Sequence, residues 1–536
     1  MEESIQIKKS ILCFLLIVIL SVFLVSCLGE GEQEEDQADT NQPPVATFTA
    51  SPESGVAPLN VTLDGSASHD PDGDIIEQLW EFGDGTSSNE TGDVAYHIYE
   101  SAGSYTAKLT VTDNNGATAI ATKTISCDEG FLWESEIDDE ISYYSSPAVG
   151  ADGTIYFGTG AYLWTDWGSL YAFNPDGSMK WKRDLDPYEN VQYQYPRGDN
   201  AYSPAIGADG TIYVQGCTSA LYAFDPDGNR NWKYVDYDTY PLAFALGHRT
   251  PAIGQDGTLY VSADGLYAVN PDGNRKWKLQ NPSGTWWCRA SPVIGSDGTI
   301  YAVEESCDEN VTKLSAVNPD GTLQWEFWFD SETEMSLTSP AIDSNGVIYF
   351  GAEELCEPWR GFLYAVYPNG TKKWRHVVEG NRRIRSSPSI GTDGTIYVGT
   401  MSVSAETSIK FLALNHDDGT LKWAFEAEPG QYAPPDIICS PAVGDDGTIY
   451  FSSMGFFYVL DPDGNEEWTL KLNGMAQWVS PALLDDGRLY TVKCTTSEQD
   501  EHCSALWAIQ TFSLGLADSP WPKFRRNNRN TGRYND

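Results

Sequence analysis

From Ser145 onward, short apolar runs alternate with polar turns in a unit written eight times. "SSPAVGADGTIYFGT" from Ser145 and "SSPSIGTDGTIYVGT" from Ser386 are two of the copies, and the marker prolines are Pro147, Pro204, Pro251, Pro292, Pro340, Pro388, Pro441 and Pro481. Each copy reads as two apolar strands around an Asp-Gly turn, because Asp and Gly suit the positive φ of a tight hairpin. A variable segment follows, then a third strand, a second turn and a strand bearing tryptophan, as in "SLYAFNPDGSMKWKR" from Ser169. The repeat therefore predicts a four-stranded antiparallel sheet.

Repeats of this length, with two turns inside each, predict the blades of a β-propeller, where each sheet buries its faces only against its neighbours. Seven copies end on Trp181, Trp232, Trp277, Trp325, Trp374, Trp423 or Trp468, and the eighth lacks its tryptophan strand. "GFLWESEI", with Trp133, precedes the first copy and is expected to supply it, closing the ring and removing the sheet edges a linear array would expose.

Upstream the pattern changes. Residues 45–127 carry short alternating segments such as "VATFTA", "LNVTLDGS" and "SYTAKLTVTDNNG", separated by Gly, Asp and Asn turns, which predicts a sandwich with one buried face per sheet. Residues 28–44 are acid-rich and almost devoid of apolar side chains, so they read as an extended, self-repelling tether. Residues 1–27 combine Lys8 and Lys9, the apolar run "ILCFLLIVILSVFLV" and a small residue before Cys27, a targeting segment. The expected architecture is all-β: an immunoglobulin-like β-sandwich at 45–127, then an eight-bladed β-propeller at 130–518 and a basic C-terminal segment at 519–536.

Three stretches resemble known families. "LVSC", Leu24 to Cys27, is similar to a prokaryotic lipobox, and the resemblance implies cleavage before Cys27, lipidation of its thiol and a lipid-anchored place in the cell envelope. "SHDPDGDIIEQLWEFGDGT" with "YESAGSYTAKLTVTDNNG" resembles the PKD domain, in that family a spacer or contact module. Asp70, Asp72 and Asp74 alternate like calcium ligands, but a tight turn demands the same letters, and the turn is the reading taken here. The repeats, most clearly "FLALNHDDGTLKW", resemble the PQQ-like propeller family, which holds quinoprotein dehydrogenases and the outer-membrane assembly lipoproteins; "SPWPKFRRNNRNTGRYN" is similar to a terminal motif seen after such propellers. No adjacent cysteine pair and no local run match the PQQ and calcium pattern, so no cofactor and no metal is expected.

Charge narrows the partners. With 77 acidic against 33 basic residues, net charge -44, the surface repels nucleic acid. Envelope or extracellular proteins and polysaccharides remain, with the membrane reached through the anchor and the chain expected as a monomer. Leaving out Cys13 and Cys27, eight cysteines remain in a compartment where disulfides persist. Cys494 with Cys503, and Cys288 with Cys307, are the pairs that hairpins would bring near each other.

No catalytic constellation stands out. Function is expected among the variable loops, at the face opposite the uniform turns. His248, Arg289, Arg385 and Trp478 stand three residues before marker prolines and are expected to ring the axial mouth, with Arg249, Trp286, Trp287 and Arg382 beside them. Arginines and aromatics suit an anionic or sugar ligand or a partner peptide. Equally open is that the arginines pair with acids such as Glu304, Glu305, Glu332 and Glu334. The sequence thus supports a non-enzymatic recognition or scaffold protein, with a PQQ-dependent dehydrogenase or a polysaccharide-active propeller as the alternative.

Overall fold

The computed structural model describes residues 41–533 except 58, 89–92, 100–102, 129, 138–144, 161–167, 187–200, 217–219, 237–248, 280–285, 288–289, 307–310, 332–333, 355–356, 358, 403–407, 429–435, 476–478, 498–499, 512 and 514. No helix occurs among them. Contacts divide the chain into two compact units, the first dominated by 62–96 and 106–123, the second holding 124–536.

Two sheets make the sandwich. Thr49–Ser51, Leu59–Asp64 and Val94–Tyr99 form one; Ser54–Val56, Thr118–Asp128, Gly103–Asp113, Ile75–Glu81 and Ser87–Ser88 form the other, in that spatial order. The alternation seen in sequence is the alternation in space: Leu59, Val61 and Leu63 point inward while Asn60 is exposed. Trp80 is fully buried and meets Phe48 edge to face at 5.2 Å.

The eight repeats fold as the propeller pattern requires. Inner strands of two residues, such as Ala148–Val149, pair with a second strand, Ile155–Gly158, then a third, Ser169–Phe173, then the tryptophan strand, Met179–Asp184. Repeats one to six each form their own sheet, and the last two share a seven-stranded one. That last sheet ends on Phe131–Glu136, paired with Asp500–Gln510 so that Trp133 lies opposite Ala508. Closure by the N-terminal strand is as expected, and Val149, Ile155 and Phe157 of the first repeat share one core with Val479, Ala482 and Tyr490 of the last.

Three devices explain why the repeat is written as it is. At each Asp-Gly-Thr turn the aspartate accepts the Thr N–H, and in most copies the hydroxyl too, as Asp152 does from Thr154 at 3.0 and 2.7 Å, while Gly153 takes φ 79°. Seven of the eight tryptophans donate their indole N–H to a turn carbonyl of the next repeat: Trp133 to Pro175, Trp181 to Pro226, Trp232 to Pro271, Trp277 to Pro319, Trp325 to Pro368, Trp374 to His416 and Trp423 to Pro462. The same ring packs on that turn's glycine so closely that a Cβ at Gly321 would stand 2.9 Å from Trp277. Around the axis, the residue before a marker proline passes its N–H to the hydroxyl of its successor in seven of the eight repeats. Ser146 donates to Ser203, Thr250 to Ser291, Ser291 to Ser339, Ser339 to Ser387, Ser387 to Ser440, Ser440 to Ser480 and Ser480 back to Ser146.

The C-terminal segment is not an appendage. It runs inside the ring at the end of the Asp-Gly-Thr turns, where Val149, Ile206, Ile253, Ile294, Ile390 and Val443 donate their backbone N–H groups to Asn528, Arg529, Thr531, Gly532, Trp521 and Pro522. Leaving such buried donors unmet costs roughly 1–3 kcal/mol each. Trp521 is 1% exposed and joins the core of the fourth to sixth repeats. Arg525 reaches the carbonyls of Pro292 and Pro251, and Asn530 those of Pro147 and Pro204. Buried cations normally need acids; here the Arg525 guanidinium is met by carbonyl dipoles.

Candidate functional site

With one end of the axis occupied by the C-terminal segment, the end where the inner strands begin is the one left for the variable connections. The second strands of repeats four to six are longer than those of the first three: Ile300–Ser306, Ile348–Glu354 and Ile396–Ser402 against Ile155–Gly158, Ile212–Gln215 and Leu259–Ser262. Their extra residues pair with short strands from the connecting segments, Trp286–Trp287, Glu334–Met335 and Arg382–Ile384. Trp286, Trp287 and Arg382, expected in loops, therefore lie on strands, because the lengthened partners offer backbone groups that must be hydrogen-bonded.

Arg385 and Arg383 face an acid the sequence did not single out. Arg385 donates to both carboxylate oxygens of Glu353, Nε at 3.0 Å and Nη2 at 2.9 Å, and Arg383 Nη1 stands 3.8 Å from the same group. Glu353 is 1% exposed, a position the lengthened second strand creates beside the neighbouring repeat. The Arg383 guanidinium lies 4.1 Å from the centre of the Trp359 ring, a cation–π contact. Asp436, bridged to Met401 through the backbone, completes the cluster. Burial pushes its carboxyl up to about 7 against the pull of Arg385. Arg383 Nε and Asp436 Oδ1 have no hydrogen-bond partner among the described residues.

Two of the acids weighed as partners from sequence are engaged elsewhere, and Glu332 lies outside the described residues. Glu304 pairs with Lys313 at 3.2 Å and accepts from Ser315, and Glu334 takes Arg375 and the Tyr364 hydroxyl. Arg382 donates to the carbonyls of Ser408 and Glu379, an edge role away from Glu353. Arg249 is buried, at 1% exposure. His248, Arg289, Trp478, Cys27, Cys288 and Cys307 lie outside the described residues. Backbone register sets Cys494 directly opposite Cys503, while Cys127 and Cys439 are buried thiols. Of this cluster, Glu353 and Asp436 were missed; for Glu353 the signal available was the lengthened apolar-then-acidic run "IYFGAEE".

Comparison with known proteins fits this architecture in two parts. Residues 41–127 match the family model described as PKD domain, and residues 124–307 the one described as outer membrane protein assembly factor BamB. The chain carries a PKD domain followed by a BamB-like propeller region. Over 97 residues it is 40% identical to a microbial collagenase of Vibrio alginolyticus, an alignment covering 18% of this chain and 12% of that protein. Among solved structures, the Dos1 propeller superposes with a TM-score of 0.51 at 10% identity, covering 71% of this chain and 98% of that one. A quinohemoprotein alcohol dehydrogenase from Comamonas testosteroni gives 0.51 at 12% identity, covering 71% and 76%. At such identities the likeness is one of fold.

Among the described residues, no donor set matches a PQQ and calcium centre. Seven tryptophans of the propeller's outer strands, Trp133 included, hold neighbouring turns through their indole N–H groups. No group of three or more His, Cys, Asp or Glu side chains among the described residues comes together to hold a metal. No cofactor-dependent step follows from these residues. In the PKD domain, Asp72 accepts the Gln42 N–H, while the fully buried Asp113 accepts from Asn41, Asn115 and Ala117, fastening the turn at residues 70–74 to the next hairpin. Shielding from water, with the charges of Asp72 and Asp113 adding to it, raises the pKa of Asp70.

Proposed function

We propose that this is an extracytoplasmic recognition or scaffold protein, lipid-anchored at Cys27, in which an acidic tether and the PKD domain present an eight-bladed propeller to envelope or extracellular proteins or polysaccharides. It acts as a monomer, without cofactor or catalysis. The observation that carries the reading is the asymmetry of the propeller axis. The turn end is taken up by the chain's own residues 519–533, whereas the opposite end carries Trp359, Arg383 and Arg385 with part of their surface in water. Recognition surfaces favour these residue types. The likeness to a collagenase lies within the PKD portion, and that to a dehydrogenase is of fold, so neither supplies a reaction.

Site-directed bulk tests it. A polyethylene-glycol label on Arg360→Cys, an exposed residue at the loop end, should block binding of the protein to arrays of envelope proteins and glycans; the same label on Asp272→Cys, at an exposed turn, should not. Equal binding by both labelled proteins would refute a loop-end site. Turnover of an alcohol with added PQQ and an electron acceptor, or cleavage of a polysaccharide, would favour the enzymatic alternative.

A further inference from the structure

The cluster around Glu353 runs against the chain's overall charge balance. Over the whole molecule acids outnumber bases by more than two to one, yet here Arg383 and Arg385 share the single carboxylate of Glu353. The other acid, Asp436, is 5% exposed and held toward its neutral form. Among the described residues, two guanidiniums against one ionised carboxylate leave about one positive charge. Arg385 spends two donors on Glu353, whereas Arg383 sits 3.8 Å from it and has no partner at Nε among the described residues. Buried donors without partners are rare enough in native proteins to call for an explanation. Asp436 Oδ1, likewise without a partner, adds a second polar atom to the same place.

We propose that Arg383 and Trp359, backed by Arg385 and Asp436, form a receptor for the carboxylate of a uronate-bearing saccharide. A guanidinium fork matches a carboxylate in two parallel hydrogen bonds. One residual positive charge matches a monoanion better than a dianion, which argues for a carboxylate over a phosphate or sulfate dianion. Trp359 is half-buried beside Arg383, so an apolar ring plane adjoins the cationic group. A uronate pyranose presents that pairing, an apolar C–H face next to the C5 carboxylate. The protonated form of Asp436 supplies a donor for a ring hydroxyl. Asp436 also restricts the site to a single anion, since a second charge would meet a carboxyl rather than a cation. The inference rests on the loop-end reading above and names its ligand class.

The test is calorimetric titration of the full-length protein with trigalacturonate, its methyl ester and triglutamate. Saturable binding of trigalacturonate alone, weakened about tenfold or more in Arg383→Gln and in Trp359→Leu, is the expected result. Arg383→Lys keeps the charge but loses the fork, and should fall between wild type and Arg383→Gln; unchanged thermal melting of the variants separates lost contacts from lost folding. Equal binding of the methyl ester would overturn the carboxylate, and equal binding of triglutamate would overturn the saccharide. No binding of trigalacturonate, or binding untouched by Arg383→Gln, would overturn the proposal. In that case an array ligand still blocked by the label at Arg360→Cys keeps the loop-end reading standing, and loss of that blockade removes both.

Discussion

Lys523 offers the sharpest trial of the axial packing. It is fully buried in the C-terminal segment, where its ammonium reaches Asn530 Oδ1 at 3.1 Å and, more distantly, the Asn527 carbonyl. Burial lowers its pKa from the ordinary 10.5 to about 7. A pKa unit is worth about 1.4 kcal/mol, so the shift corresponds to roughly 5 kcal/mol. The sign follows from linkage. A base whose folded pKa is depressed binds fewer protons folded than unfolded between the two values, so the cost is fully present below pH 7 and vanishes above about 10.5. Lys523→Met removes the cost and forfeits hydrogen bonding worth about 1 kcal/mol. The variant should therefore be more stable than wild type by several kcal/mol at pH 6, with the advantage shrinking to nothing or reversing at pH ~10. Urea unfolding of both proteins at pH 6, 8 and 10, followed by tryptophan fluorescence, reads this directly. A variant that loses stability equally at every pH would refute the reasoning, and would mean that axial carbonyls solvate the ammonium as well as water does.

Asp436→Asn should show the opposite slope: an acid whose folded pKa is raised from 3.8 to about 7 costs stability above pH 7 and none well below 3.8, so the variant gains roughly 2–4 kcal/mol at pH 8 and little at pH 4, by denaturant midpoints. Gly321→Ala should cost about 1–3 kcal/mol, since φ is 88° and the methyl would press on Trp277; thermal melting checks it, and no loss would deny the clasp between repeats. Cys494 and Cys503, opposed in register, are expected to be joined, so peptide mapping without reduction should recover them linked and alkylation should miss both.

The sequence by itself determined the elements and their order. Asp-Gly-Thr turns, apolar pairs such as Ile155 and Tyr156, and the tryptophan strand are local signals repeated copy after copy, so pattern and geometry coincide. The N-terminal strand with Trp133 was legible because the eighth copy lacks what that strand supplies. Even the indole's structural task could be read, as each tryptophan occupies the same place in its repeat. Tertiary structure decided what depends on distance along the chain. Lys523 and Arg525 read as surface residues of a basic tail, and only the closed ring, with its inward-facing proline carbonyls, makes the axis a place to bury them. Glu353 became the partner of Arg385 because the second strand of the fifth repeat outgrows those of the first three, something no turn signal records. Charge pairs form between whichever residues the packed sheets bring within a few ångströms, and spacing along the chain carries no trace of that.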